Sequence, residues 1–311
     1  MRFERLVSIV LLSAVAHLAI AAPPPPKAEQ VRIPAWFGGV ESAPEPKSVS
    51  ARIDGKESRV LAIRGPGDPL MILVVLDLTE GLALIDPAKD ALIAEASSLP
   101  EQVYLGLLRA QDGLRVVLDP TNDREKFAQA VRTLPVTGKA GLLEALLLTE
   151  QIADSVLVKT GVRVAVLHIT DSDIRNYRED FTNPVINSSD RSDLSRRFPE
   201  GLIQDKIRRL VPQLAKHQSP LFIVHLDYRS ERLNEAYQNG LKRLADSMAG
   251  ESYFCRSVTE IPTSIHAMLR SIQSHYSLEL AVPDKVRENA DVSLTVKGVS
   301  SPRYRTSVSI Q

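Results

Sequence analysis

The 311-residue chain is predicted to fold as a doubly wound α/β domain, with a mainly parallel sheet and a small antiparallel β appendage. Three observations carry this. Between residues 70 and 275, short apolar runs alternate with stretches of helical periodicity, the pattern of parallel strands joined by crossover helices. The run Leu70-Met71-Ile72-Leu73-Val74-Val75-Leu76 is apolar throughout and stops at Asp77, as expected of a central strand buried on both faces. After residue 276 the period changes, and 277–282, 291–297 and 305–310 read as strands with no helix between them.

The first 21 residues read as an export signal. Arg2 and Arg5 precede an apolar stretch over 6–20, Ala19-Ile20-Ala21 supplies a small-x-small cleavage pattern, and Pro23 to Pro26 forbid helix continuation. The stretch is short for a membrane span, which needs roughly 20 apolar residues. The expected product is secreted or periplasmic, with no stable span after cleavage. Residues 22–48 read as a proline-rich tether, with Ile33, Trp36 and Phe37 expected to dock on the domain. Residues 49–64 alternate around Asp54-Gly55 as a β-hairpin.

The α/β domain is assigned to 65–276 and the β appendage to 277–311. Strands are predicted at 70–77, 103–110, 114–118, 163–171, 220–227 and 252–258. The first connection is predicted to turn helical at Asp86-Pro87, with proline in the tolerated first turn. Asp123 is positioned to cap a helix over 124–134. Residues 141–158 are apolar around nearly the whole helix circumference, which predicts a buried helix. Further helices are expected over 202–217, 231–248 and 259–275. The predicted strand order is 3-2-1-4-5-6, with 70–77 beside 163–171.

Composition excludes some functions. Lysine and arginine number 38 and so do the acids, and no basic stripe is visible, so a nucleic-acid partner is not expected. The one cysteine, Cys255, has no internal disulfide partner and reads as a small buried hydrophobe. The first strand is followed by neither a phosphate-binding glycine loop nor Gly-x-Gly-x-x-Gly, and no Gly-x-Ser-x-Gly elbow is present.

Candidate site residues lie where strands end. Asp77, Asp171 and Asp227 close three of them, and in a parallel sheet those ends share one edge, where ligands of open α/β sheets bind. Thr79 and the segment Thr137-Gly138-Lys139-Ala140 reach the same crevice. The elements Asp77-Leu78-Thr79-Glu80-Gly81, Gly138-Lys139-Ala140-Gly141-Leu142-Leu143-Glu144-Ala145-Leu146 and Thr170-Asp171-Ser172, in this order, resemble the metal-site motifs of von Willebrand factor A domains. With the export signal and C-terminal strands, the chain is most similar to the secreted members of that group in Acidobacteria. The resemblance implies a Rossmann-like fold and a divalent cation (Mg2+, Mn2+ or Ca2+) at Asp77, Thr79 and Asp171. It also implies a degenerate, weakly binding site, because Gly81 and Ala140 stand where the family carries hydroxyl ligands.

Two ideas follow. The Lys139 ammonium is a candidate substitute for the missing cation. The loop over 172–200, long for such a connection and rich in Asp, Asn, Ser and Arg, is a candidate recognition surface. The expected function is a non-enzymatic, protein-binding or adhesion-type module for a protein or cell-envelope component. The alternative is a metal-dependent hydrolase using His225 and Asp227, two residues apart on one strand face, together with the acids. His168 reads as a satisfied core histidine.

Overall fold

The computed structural model describes residues 29–38, 44–79, 81–174, 176 and 199–310, with the backbone alone for 199, 200 and 202. The export signal, the proline run after it, Glu80 and most of the 172–200 loop lie outside the described residues. Four strands come first: β1 (Gln30–Trp36), β2 (Val49–Ile53), β3 (Lys56–Ser58) and β4 (Val60–Arg64). The α/β portion runs β5 (Leu70–Asp77), α1 (Leu82–Ser98), β6 (Val103–Arg109), β7 (Arg115–Thr121), α2 (Arg124–Thr133) and α3 (Leu142–Thr160). It continues with β8 (Arg163–Thr170), α4 (Pro199–Leu214), β9 (Leu221–His225), α5 (Arg232–Ser247), β10 (Ser252–Phe254) and α6 (Glu260–Ser274). The chain ends with β11 (Tyr276–Ala281), β12 (Asn289–Val296), β13 (Arg303–Tyr304) and β14 (Ser307–Ser309).

The central sheet has the order β10-β9-β8-β5-β6-β7, which is the predicted order read from its far edge. Its pairs are parallel except β6–β7, where a short turn at Asp112-Gly113 returns the chain antiparallel. Alternation divides β5 between two cores. Leu70, Ile72, Val74 and Leu76 face α1, α2 and α6, while Leu73 and Val75 face α3, α4 and α5. A doubly wound sheet needs cover on both faces, which explains why β5 carries no polar residue before Asp77.

Three expectations change. Helix α1 begins at Leu82, so Pro87 sits inside it rather than in its first turn. The cause is tertiary: the Gly81 N–H, just before the helix, is held by Asp171. Helix α3 is not covered all round, because Leu148 and Val158 are 50% and 65% exposed. The supposed tether contains β1, which pairs antiparallel with β11 from Gln30↔Ala281 to Ala35↔Tyr276. Val31, Ile33 and Ala35 alternate inward there, and that alternation outweighs Pro34, whose carbonyl accepts from the Arg305 N–H.

Strand β1 belongs to a small β-sandwich. One sheet is β13-β1-β11-β4 and the other is β14-β12-β2-β3, with a shared core that includes Ile33, Ile53, Leu278, Leu280, Val292 and Leu294. The expected 49–64 hairpin is shorter, β2 turning back only into β3, while β4 crosses to the other sheet and pairs antiparallel with β11; these strands and the C-terminal ones form one unit built from both ends of the described chain. Trp36 docks across the seam, its indole N–H donating to the Ser271 carbonyl at 2.9 Å. The buried Arg163 guanidinium ties the amino edge of the central sheet to the end of α6 and to the connections that lead to this unit, through the carbonyls of Gln273, His275, Pro66 and Asp68.

Candidate functional site

The carboxyl ends of β5, β8 and β9 lie side by side, with Asp77 opposite Thr170 and Thr170 opposite His225. Asp77 is fully buried. Its Oδ1 accepts the Gly141 N–H at 3.0 Å, and its Oδ2 accepts the Thr170 hydroxyl at 3.1 Å. The Ser172 hydroxyl also reaches it, and burial is the main reason its carboxyl is pushed up to about 6. The Thr170, Ser172 and Tyr237 hydroxyls form a buried chain, at 2.7 Å and 3.1 Å between successive oxygens.

Asp171 turns to the loop before α1. Its Oδ1 accepts the Thr79 N–H at 2.7 Å and the Thr79 hydroxyl at 3.2 Å, and its Oδ2 accepts the Gly81 N–H at 3.2 Å. The structure therefore brings Asp77, Thr79 and Asp171 together at one sheet edge, as the motif order predicts. Lys139 is exposed and is not among the partners of Asp77, which are all uncharged. The Lys139 backbone is zipped to Asp112, donating to the carboxylate and accepting from the Asp112 N–H, both at 2.9 Å.

His225 is also buried, and both ring nitrogens are engaged. Nε2 lies 2.8 Å from the Ser172 carbonyl, and Nδ1 accepts the Asp227 N–H at 3.3 Å. This assigns the neutral tautomer with the proton on Nε2, in keeping with burial, which pushes its pKa down. Asp227 lies beyond the end of β9, and its carboxylate accepts from Arg229 Nε at 2.8 Å. Arg229 also pairs with Asp173, and its backbone is clasped at both ends by the Gln238 amide. His168, one pair of residues earlier on β8, differs from its expected satisfied state. Among the described residues neither of its nitrogens has a partner, and burial holds it neutral with a pKa of about 3.

Sequence reasoning missed Arg229, Asp173 and Tyr237, and quoted Ser172 in its motif without giving it a role. The spacing Asp227-x-Arg229 and the adjacency Asp171-Ser172-Asp173 were the available signals. Tyr237 lies inside α5 and had none. Among the described residues, no three His, Cys, Asp or Glu side chains converge as a metal-binding group.

The donor set does not fit the divalent cation that the resemblance implies. Magnesium requires about six oxygens in octahedral array. Here both Asp77 oxygens and both Asp171 oxygens already accept hydrogen bonds from neutral donors. Gly81 offers no oxygen ligand from a side chain, and Ala140 offers a buried methyl group.

No family model matches the chain, and no curated protein matches it. Solved structures with a similar fold include a von Willebrand factor type A protein from Catenulispora acidiphila, at 10% identity and TM-score 0.47, over 91% of this chain and 73% of that one. Another is the vWF domain of the type V pili tip protein Mfa5 from Porphyromonas gingivalis, at 11% identity and TM-score 0.44, over 66% of this chain and 95% of that one. A third is BatB from Bacteroides thetaiotaomicron, at 14% identity and TM-score 0.40, over 65% of this chain and 98% of that one. At these scores the likenesses carry no argument about activity. The chain has a mixed α/β fold with a mainly parallel six-stranded sheet, and von Willebrand factor A domains are among its structural neighbours.

Proposed function

We propose that the chain is an exported, non-enzymatic protein-binding or adhesion-type module of the secreted von Willebrand factor A-like kind known from Acidobacteria. It presents the carboxyl edge of its central sheet, with the 172–200 segment that leaves β8 there, to a protein or cell-envelope component. The observation that carries this reading is the condition of His225. A general base or metal ligand needs a free lone pair, and both nitrogens of this ring are committed to backbone groups. The acids at the same edge are likewise bound to backbone N–H groups, hydroxyls or Arg229. What the edge offers outward is contact surface, with Leu82 at the start of α1 63% exposed. Export rests on Arg2, Arg5 and the apolar stretch over 6–20. No helix among the described residues is long and apolar enough to cross a membrane.

The test pairs two assays on the purified chain. Binding to isolated envelope proteins is expected, weakened by Leu82→Glu or by trimming residues 177–198, with no turnover of model esters and phosphoesters. Turnover abolished by His225→Ala would replace the binding reading with the hydrolytic one.

A further inference from the structure

Helices α1 and α3 both start at the carboxyl edge, and both start on a glycine. Gly81 precedes α1 and Gly141 precedes α3, and neither has a side chain to cap its helix. The usual device at this position is a Ser, Thr, Asp or Asn oxygen accepting a nearby N–H. At Gly141 that device is sterically closed: a Cβ there would lie 2.1 Å from the Ala110 carbonyl oxygen. The chain passes so close to the β6–β7 turn that only glycine fits.

The N–H of each glycine itself, which a capping box would bind with an acid at the third helical position, is taken here by an acid from far along the chain. The Gly141 N–H is bound by Asp77, 64 residues away, at 3.0 Å. The Gly81 N–H is bound by Asp171, 90 residues away, at 3.2 Å, and the same carboxylate takes the Thr79 N–H at 2.7 Å. The two strands exchange a further contact, the Asp171 N–H donating to the Asp77 carbonyl at 3.3 Å. Each carboxylate thus sits at the positive end of a helix, where negative charge is favoured.

We propose that this edge is built to stand without a divalent cation: Asp77 and Asp171, the two acids of the metal-site pattern, serve as remote caps that fix the starts of α3 and α1. The site keeps the geometry of its motif because the carboxylates organise backbone. Among the described residues, a side-chain cation, Arg229, is set between two acids of this edge, Asp173 and Asp227. The loop carrying Lys139 is held at its backbone by Asp112 and, two residues on, by Asp77 at Gly141. A capped, cation-free edge would keep its shape in the presence of chelators. This inference concerns the same edge as the binding reading but needs no partner, so either can fail alone.

The test is thermal unfolding and calorimetric titration of the full chain, first in chelator and then with millimolar magnesium, manganese or calcium. The expected result is superimposable melting curves and no saturable heat. Asp77→Ala and Asp171→Ala should each lower Tm by roughly 5 °C, equally with and without metal, as loss of a buried acceptor would. A saturable, metal-dependent rise in Tm that disappears in either variant overturns the proposal. A rise that survives both variants places the ion elsewhere and leaves the caps standing. Because the titration is read on the unmodified chain first, a variant that does not fold does not remove the test.

Discussion

Two buried carboxylates stand at different points of α3 and meet opposite conditions. Asp77 lies at the start of the helix, where it receives the Gly141 N–H and the Thr170 and Ser172 hydroxyls. Glu150 lies midway along the helix, equally buried, and neither of its oxygens has a partner among the described residues. Burial drives both upward. For Asp77 the donors hold the rise to about 6, whereas Glu150, with Asp154 on its own helix and only the Arg305 charge opposing, is pushed well above its ordinary value. Burial alone does not make a carboxylate useful. The supply of donors decides whether it organises structure or burdens it.

The contrast breaks most readily at Asp77. Asp77→Ala leaves the Gly141 N–H and the Thr170 hydroxyl buried without their acceptor and is expected to cost about 3 kcal/mol. Denaturant midpoints measure this, and an unchanged midpoint would make Asp77 a bystander. Glu150→Gln should act in the other direction, stabilising the fold near pH 7. The sign follows from the raised folded-state pKa. Stability associated with Glu150 is fully present below its ordinary 4.5 and is lost as pH rises through the folded value. The advantage of Gln should therefore grow as pH increases from 4.5 and vanish below it. A pH-independent difference would mean that Glu150 has found a partner.

Arg229→Ala tests the charged part of the edge. It leaves Asp173 and Asp227 without the guanidinium between them, and a loss of about 1.5 kcal/mol is expected, reduced because Arg229 is 30% exposed. Raised salt should shrink that difference, and salt independence would show that packing, not charge, sets it. Lys139→Ala should change stability by less than about 0.5 kcal/mol. An effect comparable to that of Asp77→Ala would make Lys139 the site's cation after all.

Much of this molecule is legible along the sequence. The strands of the central sheet, their order and the polar edge at their carboxyl ends follow from apolar runs, helical periods and acids at strand ends. So does the meeting of Asp77, Thr79 and Asp171. What each of those groups does there is not legible. Asp77 could be placed, but its principal donor is a backbone N–H contributed by another loop. His225 looked available for chemistry until the Ser172 carbonyl and the Asp227 N–H were found on its two nitrogens. The strand at 30–36 was hidden because Pro34 and its proline-rich surroundings suggest a tether, while its partner β11 begins some 240 residues later, as the Ala35↔Tyr276 pairing shows.

The sequence by itself determined the layered α/β architecture and the edge where its polar residues gather, because strand and helix periods are written in contiguous residues. The tertiary structure decided the start of α1, the joining of both ends of the described chain in one β-sandwich, and the binding of the Gly141 and Gly81 N–H groups by two distant carboxylates. Those outcomes depend on contacts between residues far apart in the chain, whose pairing leaves no local pattern to read.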